Sequence, residues 1–133
     1  MTRFQHYAVY QLGVVALTAV AVGVILYVTG NILGALAGFG LLGATGIGEM
    51  YWRRGQRRLP EDERDEHIAR RAGAVAYAVF WICFVLWGTA ITLRFAGGGE
   101  VPIAFVAPAV CVAWWLVIAV RSAAILALNA RGA

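Results

Sequence analysis

The chain has 133 residues, 62% of them hydrophobic, and its mean hydropathy is +0.76. This apolar fraction exceeds the roughly 45–50% of an average soluble domain, so it excludes an ordinary water-soluble fold and predicts one all-α integral membrane domain over residues 1–133. The net charge of +4 comes with 11 arginines that flank apolar runs instead of lining one polar face, so we predict no nucleic-acid partner.

Four uncharged or nearly uncharged runs predict four membrane spans, because a helix needs about 20 apolar residues to cross the hydrocarbon layer. The predicted spans are residues 8–28, 32–52, 72–93 and 101–120. Thr29-Gly30-Asn31 and the glycine-rich segment from Arg94 to Glu100 connect consecutive spans through short turns. Short turns join antiparallel neighbours, so the expected architecture is an antiparallel four-transmembrane-helix bundle.

The arginines predict the orientation of these spans. Only Arg94 lies on one side, and ten arginines lie on the other: Arg3, Arg53, Arg54, Arg57, Arg58, Arg64, Arg70, Arg71, Arg121 and Arg131. By the positive-inside rule, both termini and the loop at 53–71 are cytoplasmic, and the expected location is the plasma (inner) membrane. The first apolar run is longer than the ~7–15 residues of a signal-peptide core, which favours an uncleaved first span.

The first two spans carry few polar residues. Gln11 is the one amide within a span, and an interhelical hydrogen bond is the expected role, with a substrate contact as the alternative. Glu49 lies four residues before Arg53, which favours an interfacial ion pair over a coupling or proton site. The spacing Gly34-x-x-x-Gly38 predicts close helix packing, either within the chain or between copies.

The loop at 53–71 holds 12 of the 18 charged residues. Pro60 followed by acidic residues predicts that the third helix begins there and extends into the cytoplasm before it enters the membrane. A solvated helix extension near anionic lipid is the ordinary interpretation of this mixed charge, and a docking surface for a cytoplasmic or membrane protein is the sharper one. A metal site at Glu63 and His67 is the third alternative. The predicted partner-binding residues are Arg57, Arg58, Asp62, Glu63, Arg64, Glu66, His67 and Arg70.

The third span carries aromatic residues at spacings of three and four, which are Tyr77, Phe80, Trp81, Phe84 and Trp87. Packing against lipid or another helix is the expected cause, and a groove for a lipophilic cation is the alternative. In the fourth span, Pro108 predicts a kink. Cys83 and Cys111 are expected at similar depth as free thiols.

The triplet Asp62-Glu63-Arg64, then Ile68 and an apolar span, all after two tightly connected spans, resembles a family of small uncharacterised prokaryotic four-helix membrane proteins. That family has an Asp-Glu-Arg signature between helices two and three. The resemblance implies the topology and assigns no activity, although some members of such families look like partners of cytoplasmic regulators. Small multidrug transporters are similar in length only, since they need an acidic residue in the first span, where this chain has Gln11.

The sequence therefore predicts a non-enzymatic interaction or regulatory component. The bilayer, a protein partner and a second copy of the chain are its expected partners. The alternative is a small oligomeric transporter or channel for a small or lipophilic cationic solute, which would use Gln11, Glu49, Tyr77 and Trp81. No nucleophile with a base and no set of metal ligands is apparent, so no catalytic residue, metal or cofactor is expected. His6 and His67, the only two histidines, lie outside the spans, which argues against haem.

Overall fold

The computed structural model describes residues 3–56 and 63–130, and these are helical apart from two short connections. The elements are α1 (Arg3–Thr29), α2 (Ile32–Ala35), a 3₁₀ segment (Leu36–Leu42), α3 (Gly43–Gln56), α4 (Glu63–Phe95) and α5 (Ile103–Ala130). The second span consists of α2, the 3₁₀ segment and α3. Within the described residues, four helical stretches are long and apolar enough to cross a membrane.

The turn between the first two spans depends on two residues. Gly30 adopts a left-handed conformation with φ of 62°, which costs glycine little and ends α1. Asn31 then caps α2, because its side-chain oxygen accepts a hydrogen bond from the Leu33 backbone N–H at 3.0 Å. The chain thus reverses its direction without leaving the helix ends unpaired.

The second span differs from the single helix that the sequence predicts. Seven of its residues, Leu36–Leu42, form a 3₁₀ helix, which rises about 2.0 Å per residue against 1.5 Å in an α-helix. Glycines stabilise the α-helical conformation poorly, and this stretch contains Gly38 and Gly40. The 3₁₀ geometry makes the middle of the span narrower and longer than an α-helix of the same length.

The last helix extends beyond the predicted fourth span, since α5 continues past Val120 to Ala130. Arg121 therefore lies within the helix and not at its end. An arginine does not stop a helix, and no glycine or proline interrupts residues 109–130. Helix α5 is continuous through Pro108 as well.

Helix α1 runs antiparallel to the second span and to α5, and α4 runs antiparallel to α5, whereas the second span and α5 run in the same direction. The second span packs against α1 and α5, α1 packs against α5, and α4 packs along α5. Near the middle of the molecule, Val15, Leu42 and Ile118 form a buried cluster that joins α1, the second span and α5. Trp115 also donates a hydrogen bond from its ring N–H to the Val15 carbonyl at 3.0 Å.

Two glycines let the second span approach α1 closely. A Cβ added at Gly38 would lie 2.8 Å from Val22 Cγ2, and one added at Gly48 would collide with the Tyr10 ring. The Tyr10 hydroxyl donates to the Ala44 carbonyl at 3.0 Å. A Cβ at Gly34, by contrast, would meet only Asn31 of its own turn, so the structure places Gly38 but not Gly34 in a helix contact.

The helices do not surround a common core along their whole length. The half of α4 that follows Ala76 packs against α5 and leaves large side chains exposed, among them Ile82 at 60% and Leu86 at 65%. Water does not drive apolar helices together inside a bilayer, so nothing forces this side to close. The arrangement differs in this respect from a closed four-helix bundle.

Candidate functional site: a helical platform with a charged face

Three helices are longer than a membrane crossing requires. Helices α1, α4 and α5 have 27, 33 and 28 residues. At 1.5 Å per residue they measure about 40, 50 and 42 Å, against about 30 Å of hydrocarbon. Helices α1 and α4 begin, and α5 ends, at the same end of the molecule. We call this region the platform and define it as residues 3–8, 63–72 and 122–130.

The platform has its own apolar core. Ala8, Ile68, Ala72 and Ile125 form a buried cluster in which no residue is more than 2% exposed. Phe4, Ala124, Leu126 and Leu128 pack around it. Ile68 and Ala72 therefore face the other helices, and this contact fixes the first turns of α4 against α1 and α5.

The opposite face of the same turns of α4 is charged and exposed. Glu63, Glu66, His67 and Arg70 are exposed residues on this face, which we call the charged face. Glu66 and Arg70 form an ion pair at 2.5 Å, with side chains that are 52% and 77% exposed. Acidic residues in the first turn also complement the positive end of the helix dipole.

A buried polar network lies at the base of the platform. Gln11 donates from its amide to the Tyr7 hydroxyl at 2.8 Å and accepts from the Ser122 hydroxyl at 2.9 Å. Gln11 is 5% exposed and Ser122 is fully buried. The Gln11 amide thus links α1 to α5 and fixes their relative position, because sliding either helix by one turn would break the hydrogen bond between Gln11 and Ser122.

The structure brings five of the predicted partner-binding residues onto one helical segment. Glu63, Arg64, Glu66, His67 and Arg70 all lie in the first eight residues of α4. Arg57, Arg58 and Asp62, together with the predicted helix start at Pro60, lie outside the described residues. Within the described ranges, no group of three His, Cys, Asp or Glu residues could hold a metal ion.

The residues of the transport hypothesis lie on separate surfaces. Gln11 is enclosed between α1 and α5, and Glu49 lies on α3. Tyr77 and Trp81 are 63% and 44% exposed on α4 and pack on each other with ring centroids 6.0 Å apart.

The aromatic stripe of α4 is continuous. Phe80 stacks on Phe84 at 5.7 Å between centroids, Trp81 meets Phe84 edge to face at 5.8 Å, and Phe84 lies 6.2 Å from Trp87. Cys83, on the same helix, and Cys111 are free thiols.

Sequence reasoning missed the contribution of residues 122–130 to the platform. Arg121 was interpreted as marking the end of the fourth span, so Ser122 and Ile125 were left in a tail. The sequence does indicate that the helix continues beyond Arg121, because Ile118, Ile125 and Leu128 keep a helical apolar spacing.

The chain was compared with protein families, curated proteins and solved structures. No curated protein matches it, and no solved structure does. The model of one family, described as "Predicted membrane protein (DUF2178)", matches residues 6–127, which include all four spans and the charged face. The chain therefore belongs to the DUF2178 family of predicted membrane proteins.

Proposed function

We propose that this protein is a non-enzymatic membrane component that binds a protein partner in the cytoplasm through the charged face. One observation carries the proposal: the exposed residues Glu63, Glu66, His67 and Arg70 stand on turns whose other side is fixed by Ile68 and Ala72 in a buried core. A surface held in this way loses little conformational entropy when a partner binds.

The ion pair on the charged face is weak, so a binding partner can replace it. An exposed i, i+4 ion pair such as Glu66 with Arg70 contributes only about 0.3–0.5 kcal/mol, so a partner can replace it at small cost. The presence of both acidic and basic side chains also favours recognition of a complementary protein surface over simple attraction to anionic lipid.

We also propose an orientation of the protein in the membrane. In the sequence, ten arginines precede the first predicted span, separate the second from the third or follow the fourth, and Arg94 alone separates the third from the fourth. By the positive-inside rule this excess puts the platform and both termini in the cytoplasm, with the plasma (inner) membrane as the location.

The test is a comparison of co-purifying proteins from cells at native expression, in mild detergent. The variant changes Glu63, Glu66, His67 and Arg70 to glutamine, and the control changes Arg94 and Glu100 to glutamine at the opposite end. We expect one protein to co-purify stoichiometrically with the native chain and the control, and to be lost from the variant, because the change removes the complementary charges. A partner that stays with the four-residue variant would refute the proposal.

A small oligomeric transporter or channel is the second candidate, and the exposed Tyr77 and Trp81 favour it because a second copy could complete a site there. A flux assay distinguishes the transporter from the interaction component. A transporter loses flux on Glu49→Gln and keeps it in the four-residue variant, whereas an interaction component shows no flux that depends on Glu49.

A further inference from the structure

An apolar groove runs between α4 and α5 on the side where the helices are not enclosed. Its volume is about 580 Å³, and its lining is wholly apolar. Residues that line it include Phe80, Phe84 and Trp87 from α4 and Val106, Ala109 and Val117 from α5. A second groove of about 560 Å³ lies on the other side of Val110 and Trp114, against the second span.

The dimensions of the α4–α5 groove suit a hydrocarbon chain. From Val106 to Val117 the groove extends about 16 Å along the helix, which is about half of the 30 Å hydrocarbon layer. Its volume of about 580 Å³ then gives a cross-section of roughly 35 Å².

A positive charge lies at the mouth of this groove. The guanidinium of Arg94 lies 5.9 Å from the centre of the Phe95 ring, and Phe95 packs edge to face on Phe105 with centroids 6.0 Å apart. Phe105 directly precedes Val106, the groove residue nearest that end of α5. Arg94 is exposed, and within residues 3–56 and 63–130 it is the only arginine at this end of the molecule.

We propose that the α4–α5 groove binds one acyl chain of a phospholipid whose anionic head group lies at Arg94. The apolar lining takes the chain, the length matches one leaflet, and the arginine supplies the charge that a phosphate requires. The site lies at the end opposite the charged face, so it is independent of the proposed partner.

Native mass spectrometry of the full chain tests the proposal. The protein is released from bilayers of equal phosphatidylglycerol and phosphatidylcholine into mild detergent. The variant Ala109→Phe fills the groove, and Ala90→Phe adds the same bulk at an exposed position of α4 outside its lining. Arg94→Gln removes the charge and leaves the groove intact.

The native chain and Ala90→Phe are expected to retain one phosphatidylglycerol, and Ala109→Phe to retain about tenfold less. Arg94→Gln is expected to lower the preference for phosphatidylglycerol over phosphatidylcholine by about fivefold, the effect of one arginine near an anionic surface. Equal retention by Ala109→Phe and Ala90→Phe would overturn the groove as the site. If Arg94→Gln keeps the native preference for phosphatidylglycerol, the head group does not lie at Arg94. A native dimer that retains no lipid would show that a second copy of the chain covers the α4–α5 groove.

Discussion

Replacing Ile68 by alanine is expected to lower the free energy of unfolding by about 2–5 kcal/mol, the usual cost of emptying a buried isoleucine site. Ile68 is 2% exposed and contributes most of the side-chain bulk that α4 adds to the platform core. Its neighbours Ala8 and Ala72 are too small to fill the space. The measurement is reversible unfolding in detergent micelles, followed by circular dichroism.

Ile82→Ala is the matched control for this change. It removes the same atoms from the same helix at a side chain that is 60% exposed, so we expect a loss below about 0.5 kcal/mol. If Ile68→Ala and Ile82→Ala destabilise equally, the platform has no core of its own. The charged face would then lack the rigid support on which the proposed function depends.

Replacing Gly38 by alanine is expected to destabilise the protein by about 1–3 kcal/mol, the typical cost of overpacking a tight contact. The new Cβ would lie 2.8 Å from Val22 Cγ2 and 3.1 Å from the Val22 backbone nitrogen. A valine side chain has little freedom to turn away, so α1 and the second span must separate. Thermal unfolding and the rate of limited proteolysis report this separation.

Gly40 provides the control in the same 3₁₀ segment. A Cβ there would meet nothing within 4 Å, so Gly40→Ala is expected to be neutral or to stabilise by about 0.4–1 kcal/mol. A larger loss of stability for Gly40→Ala than for Gly38→Ala would contradict the close contact between Gly38 and Val22.

Much of this fold could be predicted from the sequence because the bilayer imposes strong constraints. Every apolar run of about 20 residues must become a helix, and the turn at Gly30 and Asn31 has a recognisable composition. These features depend on local sequence and on the thickness of the membrane.

The remaining features depend on which helices meet, and no local pattern determines that. Gly34 and Gly38 have the same spacing signal, but only Gly38 faces Val22, whereas Gly48 faces Tyr10 without belonging to that motif. The network of Tyr7, Gln11 and Ser122 joins positions more than 100 residues apart in sequence. Helix α5 also continues ten residues past Val120, the predicted end of the fourth span, because an arginine does not end a helix.

The measurement that tests the proposed interaction most directly is photocrosslinking in living cells. Benzoylphenylalanine is incorporated in place of His67 on the charged face and, in a second strain, in place of Glu100 at the opposite end. We expect a crosslink to one other protein from position 67 and none to that protein from position 100, because the two positions lie at opposite ends of α4 and α5. Crosslinks from position 67 that contain only lipid or a second copy of the chain would contradict the proposed function.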